Sequence, residues 1–277
     1  MQNASPTPLT PPMYLIQTRH GSMLANGNDF FIGRALLEYG EFSEIESQFI
    51  MQLVGGSGLV VEVGANIGAH SIAMAKTAAQ NHQTMVVFEP QPVIFQNLCA
   101  NLALNNIQNV RAWPFACGAE KGELHFPSQD YYSPGNFGGV SMQTEAGANT
   151  VVVPCVTLDE MLGGALVSLI KLDVEGFELS ALQGAQRTIG RSRPVLYVEN
   201  DRMDRSPALI EWIWSQDYRV WWHIPALFNP DNYFAKSENI YNNIASFNLL
   251  ALPRERAVQT AGLIEVTDSA FHPLAKR

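Results

Sequence analysis

The chain is short of charge, short of cysteine and without a long apolar run. Only 16% of its 277 residues are Asp, Glu, Lys or Arg, against 47% hydrophobic, a balance that excludes a disordered chain and leaves ample material for a core. Basic residues are the scarcer sign: 17 Lys and Arg face 26 Asp and Glu, for a net charge of −9. Such a chain lacks the cationic field that holds proteins on phosphate backbones or anionic lipid, so neither a nucleic-acid nor a membrane partner is expected. The three cysteines, Cys99, Cys117 and Cys155, show no CxxC spacing, which argues against a disulfide framework or a zinc ribbon and for reduced, buried thiols. No stretch approaches the roughly 18 apolar residues of a membrane helix. The opening MQNASPTPLTPPMYLIQ has no basic segment of a signal peptide. A cytoplasmic protein is expected.

What is present is an alternation. The first dozen residues, rich in Pro, Ser and Thr, read as a flexible tail. Phe42, Ile45, Phe49 and Leu53 then form one stripe of a helix, with Ser43 and Glu46 at the spacing of a capping box. After Gly55–Gly58, short Val/Ile/Leu runs predict strands at Leu59–Val63, Met85–Phe88, Val110–Phe115, Val167–Leu172 and Val195–Val198, with two late strands near Arg219–His223 and Phe247–Leu252. Helical patterns separate them, among them Pro92–Asn105 with Phe95, Leu98 and Leu102 inward, and a helix from about Phe177 through Leu182, Ala185 and Ile189. Strands alternating with helices imply a mostly parallel, doubly wound α/β sheet covered on both faces. Between Glu120 and Val156 the helix signal vanishes, and Gly-, Ser- and Asn-rich sequence joins two predicted strands, Glu123–Phe126 and Val151–Val153.

In open sheets of this kind a ligand binds beyond the carboxyl ends of the strands. Polar residues follow the strands there with unusual regularity: Glu62 with Gly64, Glu89, Cys117 with Gly118, Asp173 with Glu175, and Glu199 with Asn200. One such acid would be an ordinary strand-ending turn; four after four strands predict a site. Gly64-Ala65-Asn66-Ile67-Gly68 is a glycine loop between the first strand and its helix. Glu89 lies 21 residues beyond Gly68, the spacing of an acid that grips ribose hydroxyls. The middle glycine of a dinucleotide fingerprint is replaced by Asn66, and acids at 62 and 173 would repel a phosphate. A cationic ligand suits them better.

The segment 60–68 resembles the first motif of class I S-adenosylmethionine-dependent methyltransferases. The wider set, VEVGANIGAHS (61–71), VFEPQPVIFQNLCANLALNN (87–106), VTLDE (156–160) and IKLDVEGFELSALQGA (170–185), resembles the FkbM family of methyltransferases, with echoes at 39–46 and 246–253. The resemblance implies a Rossmann-like, seven-stranded, mostly parallel sheet with helices on both faces and a terminal antiparallel hairpin. It divides the chain into an N-terminal tail and lead helix over 1–54 that caps the site, and a methyltransferase domain over 55–277 with a lid insertion at about 127–150. It further implies S-adenosylmethionine as cofactor, leaving as S-adenosylhomocysteine, held by Glu62, Gly64, Ala65, Asn66, Gly68, Glu89 with Pro90, Ala116 and Cys117 beside adenine, and Asp173 at the amino group and methyl.

Methyl transfer to an alcohol needs alignment, a dry pocket and a group to take the proton. Asp173, Glu175, Glu199 and His70 are the candidates, with His125 and His223 behind them. The expected acceptor is a hydroxyl on a small molecule or sugar, contacted by Tyr39, Glu41, Tyr131, Asn136, Ser141 and Trp222. A protein or RNA acceptor, or a non-catalytic cofactor-binding module, is the alternative. No metal is expected; were one used, Asp173, Glu199 and Asn200 offer the oxygen ligands of Mg²⁺ or Ca²⁺.

Overall fold

The computed structural model describes residues 6–141, 149–256, 260 and 262–275. Short, fully apolar runs pair side by side into the main sheet, whose strands are numbered here β1 (Leu59–Val63), β2 (Met85–Phe88), β3 (Val110–Trp113), β4 (Val167–Leu172), β5 (Val195–Glu199), β6 (Tyr218–His223), β7 (Asn248–Pro253) and β8 (Ile264–Glu265). Their order across the sheet is β8-β6-β7-β5-β4-β1-β2-β3. The first five strands pair in parallel, and β7, β6 and β8 complete the sheet antiparallel. The expected sheet of seven is therefore corrected to eight, mixed. The added β8 has two residues, too few to show any alternation in sequence, and it pairs with Trp221 and Trp222 at the far edge.

Neighbouring residues along a strand face opposite sides of a sheet, and the core divides accordingly. Ile170, Leu172, Leu196 and Val198 belong to one apolar cluster, while Leu169, Val60, Tyr197 and Leu250 belong to the other. The second face is covered by helices α1 (Ile32–Tyr39), α2 (Glu44–Leu53), α3 (Ser71–Gln80) and α4 (Pro92–Leu104) and by a hairpin of Met13–Thr18 with Gly21–Asn26. The hairpin and α1 lie in sequence to which no element was assigned. Even Thr7–Pro8 of the expected tail pairs with Tyr14 and Leu15. Residues 1–5 lie outside the described residues.

Three local expectations change. Ser43 adopts φ 44 and makes no side-chain cap to the backbone; its hydroxyl donates instead to Glu46 Oε2 at 2.9 Å. The stripe of α2 is rotated with it, so that Ile45 is exposed while Glu44, Glu46, Ser47 and Ile50 are buried. The helix predicted from Phe177 through Ile189 is two, Glu178–Gln183 and Gln186–Ser192, divided at Gly184, where a Cβ would stand 2.0 Å from the Gly118 carbonyl oxygen. The three cysteines are free thiols, as the absence of CxxC spacing implied. Among the described residues no helix is long and apolar enough to cross a membrane.

The insertion after β3 forms a second sheet of Ala116–Cys117, Thr150–Val156 and Gly122–Pro127. Its tip folds back over the glycine loop. The Gly135 amide donates to the Asn28 carbonyl and its carbonyl accepts from Phe30, the Tyr131 carbonyl accepts from the side-chain amides of Asn26 and Asn28, and Gln91 Nε2 donates to the Phe137 carbonyl at 3.0 Å. Residues 142–148 of the expected lid lie outside the described residues.

Candidate active site

The glycine loop follows β1 in a conformation few side chains tolerate. Gly64 has φ +83, and a Cβ there would lie 1.7 Å from the carbonyl oxygen of Asp173 on the neighbouring strand. Glycine alone allows that approach. Asn66 takes a left-handed φ of 49, which asparagine accepts more readily than most residues. Its amide donates to Glu89 Oε2 at 2.9 Å, while Glu89 Oε1 accepts from Gln91 at 2.9 Å. The acid at the end of β2 thus organises the loop after β1 and the entry to α4. Gly68, at φ +90, serves packing, since a Cβ would meet Leu98 of α4 at 2.9 Å.

A cavity of about 270 Å³ opens beyond these strand ends. Gly64, Asn66, His70, Glu89, Asp173, Glu175 and Glu199 line it, together with Glu46 of α2, Asp201, and Phe42 and Phe247. Asn136, Gly138 and Gly139 of the insertion close one side. Among the described residues, six carboxylates face this space, and no lysine or arginine lines it.

That concentration of acid shows in the protonation of the site. Burial, then the nearby charge of Asp173 and Glu62, pushes Glu89 up to about 7. Burial, then Asp173 and Asp201, pushes Glu175 up to about 7 although Arg202 Nη2 approaches its Oε2 at 2.6 Å. Burial and the charges of Asp173 and Glu175 hold Glu199 well above the usual carboxylate range, and its buried Oε2 has no hydrogen-bond partner. His70 is pulled down to about 3 by burial, with Lys171 the next cause. It stays neutral, with Nδ1 2.8 Å from the Ser47 hydroxyl.

Glu89 is 3% exposed, and its folded pKa of about 7 lies above the unfolded value near 4.5. Its contribution to stability is therefore fully present below about pH 4.5 and lost as pH rises through 7. Replacing Glu89 with glutamine is expected to change the pH dependence of unfolding free energy between pH 5 and 8 by roughly 2–3 kcal/mol relative to wild type. Urea titrations at the two pH values read it; parallel curves for the two proteins would show that Glu89 ionises normally.

Other expected site residues lie elsewhere. Glu62 is buried beside the cavity rather than on its wall: Ser71 donates to its Oε2 at 2.5 Å, and Lys171 Nζ lies 3.4 Å from its Oε1. Ala65, Pro90, Ala116 and Cys117 are buried and do not line the cavity. The Tyr39 hydroxyl donates to the Glu238 carbonyl and accepts from the Ile240 amide. Glu41 pairs with Arg19 at 2.6 Å and accepts from Asn229 and the Tyr233 amide. Trp222 packs edge-on to His272 behind the sheet. Of the insertion's expected contacts, Asn136 faces the cavity, Tyr131 lines a separate apolar hollow with Phe137, and Ser141 is exposed near Arg202. Asn200, the amide of the possible metal set, is 3% exposed and bonded to Ser206 at 2.8 Å. The three carboxylates whose oxygens lie within 4.8 Å of one another are Asp173, Glu175 and Glu199.

Two buried charged residues at the site, Lys171 and Glu46, are not among the expected site residues. Lys171 sits in β4 opposite Glu62 in register, and Asp173 Oδ2 is also 3.4 Å from its Nζ. Burial opposes its charge, but the surrounding carboxylates outweigh burial and hold its pKa above the ordinary lysine value. Glu46 was the other; its acid read as a helix cap. The available signal was Lys171 itself, one charge in the apolar run Val167–Leu172, which requires buried acids nearby.

Comparison with known proteins bears on this geometry. Residues 62–220 match the family model described as the methyltransferase FkbM domain. Methyltransferase sdnD of Sordaria araneosa is 28% identical over 197 residues, covering 53% of this chain and 72% of its own. Methyltransferase 1 of Beauveria bassiana is 27% identical over 148 residues, covering 45% of this chain, and the match spans little more than half (57%) of that relative. The crystal structure of methyltransferase FkbM from Methylobacillus flagellatus KT overlays with a TM-score of 0.49 at 18% identity, covering 71% of this chain and 44% of that one.

Proposed function

The chain belongs to the FkbM methyltransferase family, and from that premise we propose that it methylates a hydroxyl oxygen of a small molecule or sugar, with S-adenosylmethionine as the methyl donor. The observation that carries this reading is the cavity wall, with six carboxylates and no lysine or arginine among the described residues, and a histidine held neutral. A dinucleotide's pyrophosphate would meet only like charge there, whereas a sulfonium and an ammonium group are compensated. The donor set fits S-adenosylmethionine on that ground. That group supplies a methyl carbon already activated by a positive sulfur.

The chain's own residues do the rest. Each Glu89 oxygen accepts one backbone N–H and keeps a lone pair for a ribose hydroxyl. Gly64 and Asn66 let the backbone approach the ligand, and Asp173 faces the ammonium end. The apolar Phe42, Phe247 and Leu227 and the insertion's Gly138 and Gly139 exclude water. Glu175 and Glu199, whose carboxyls burial and the neighbouring acids push up, hydrogen-bond the acceptor. The reading is metal-free, because the Asn200 amide is turned to Ser206 and Arg202 already meets Glu175. A small acceptor suits a cavity of about 270 Å³, and the net charge of −9 disfavours RNA.

Glu89→Ala is expected to weaken S-adenosylmethionine binding by about 1.5–3 kcal/mol, the cost of losing charge-assisted hydrogen bonds. Unchanged affinity by calorimetry would remove Glu89 from the ribose site. The function itself is tested by mass spectrometry over a panel of hydroxylated small molecules, peptides and RNA. A +14 Da product with stoichiometric S-adenosylhomocysteine is expected from the first group; product from peptide or RNA alone would replace the acceptor assignment.

A further inference from the structure

The cavity has a polar exit between α2 and the face of the sheet it covers. Glu46 lines the cavity, and its Oε1 lies 3.3 Å from the hydroxyl of Tyr197 on β5. That hydroxyl is 2.8 Å from Nδ1 of His223 at the end of β6. Tyr197 is fully buried, whereas His223 is half-buried, its ring stacked on Phe49 at 3.9 Å between centroids. A tyrosine hydroxyl has one proton to give. If it donates along the shorter contact to His223, Nδ1 accepts, the imidazole proton sits on Nε2, and Glu46 Oε1 is held by Asn248 Nδ2 at 3.3 Å or, once protonated, donates to the Tyr197 oxygen. If it donates to Glu46, Nδ1 of His223 must hold the proton. The two arrangements differ in the direction of the tyrosine proton and in which nitrogen of His223 is protonated.

We propose that Glu46, Tyr197 and His223 form a proton wire, with Glu46 the base that takes the acceptor's hydroxyl proton and His223 the outlet. The proposal rests on the O-methylation reading above. The acceptor's O–H proton passes to the Glu46 carboxylate while the oxygen's electron pair bonds the methyl carbon and the carbon–sulfur pair stays on sulfur. Glu46 then donates to the Tyr197 oxygen, Tyr197 gives its own proton to His223 Nδ1, and His223 releases the proton on Nε2 to solvent. One proton leaves per methyl transferred, and Glu46 returns to the carboxylate.

The surroundings bring the two ends together in proton affinity. Burial pushes the Glu46 carboxyl up, against the charge of Lys171 from β4. Burial pulls the His223 imidazole down, against the charge of Glu46. Glu46 is also faced by Asp173 just beyond β4, by Ser43 and Ser246, by Asn248 Nδ2 of β7 at 3.3 Å, and by His70 Nε2 at 3.9 Å; Asp173 and Glu199 are the other acids near Tyr197. His70 does not compete, since it is neutral throughout the physiological range.

Long-range ¹H–¹⁵N NMR of the histidine side chains, over pH 5–9 on the full chain without ligand, tests the wire, with His223→Gln assigning the signal. In wild type the His223 curve is expected to show two inflections, its own and that of Glu46. Glu46→Gln removes the second. Tyr197→Phe shrinks it to the small remainder that the charge of Glu46 exerts through space, because the link runs through the hydroxyl. A second inflection of undiminished size in Tyr197→Phe would reduce the coupling to through-space charge and overturn the wire, as would a single inflection in wild type. Calorimetry of wild type with S-adenosylmethionine is read separately: no binding would remove the methyl-transfer reading, whatever the His223 curves show.

Discussion

Gly64→Val is expected to lower the stability of the protein by about 4–5 kcal/mol or to prevent folding, a loss large for one substitution. Two causes add. The backbone at φ +83 is costly for any residue with a Cβ, and that Cβ would lie 1.7 Å from the Asp173 carbonyl oxygen and 2.8 Å from its carbonyl carbon, about 1–2 kcal/mol for the first cause alone. The obstructing atoms are main chain of the adjacent strand, so no rotamer change relieves them. Gly190 is the control. It lies inside the helix Gln186–Ser192 with open space where its Cβ would stand. Gly190→Ala should therefore stabilise, by roughly 0.5–1 kcal/mol. Urea unfolding of both variants checks the pair, and a Gly64→Val protein that unfolds like wild type would mean that β1 and β4 do not meet at this point.

Lys171→Met is expected to cost about 3–5 kcal/mol, the penalty for stranding a buried charge. Lys171 is 1% exposed, with Glu62 and Asp173 each 3.4 Å from its Nζ. Glu62, also 1% exposed, would be left with Ser71 as its one partner among the described residues. The folded pKa of Glu62 is already above its ordinary value through burial, and removing the cation raises it further. The defect should therefore be smallest in acid, where Glu62 is protonated, and should grow as pH rises and the carboxyl ionises. A Lys171→Met/Glu62→Gln double variant should recover more than half of the loss, because the fully buried carboxyl is then neutral, while the remaining partner, Asp173, is open to solvent in part. Denaturant titrations at pH 5.5 and 8 test this; equal destabilisation at both, with no recovery in the double variant, would show that Lys171 acts through its aliphatic stem alone.

Those two positions also mark how far the sequence could be read. The strands were legible because a sheet covered on both faces needs uninterrupted apolar runs, and Val195–Val198 and Val167–Leu172 are such runs. The site's cavity-facing acids were legible for a related reason: Glu89, Asp173 and Glu199 each end or follow a strand, and strand ends converge in a parallel sheet. Glu46 was not, since an acid near a helix start is usually solvated, and only the tertiary position of α2 turns it inward. Tyr39, Glu41 and Trp222 were assigned to the acceptor because large aromatic and charged side chains suit a pocket; each is instead consumed by packing against chain segments distant in sequence. Glu62 is a subtler case, close to the site but paired with a lysine that periodicity placed in the core. The docking of the insertion on residues 28–30 is made by backbone hydrogen bonds, which leave no mark on side-chain pattern.

The central claim is that the acidic cavity beyond β1, β2, β4 and β5 receives a cationic methyl donor and no dinucleotide. Isothermal calorimetry at pH 7.5, with S-adenosylmethionine and NAD⁺ titrated separately into the wild-type protein, tests it most directly. One S-adenosylmethionine bound per chain and no heat from NAD⁺ is the predicted result. Saturable NAD⁺ binding with none of S-adenosylmethionine would contradict it.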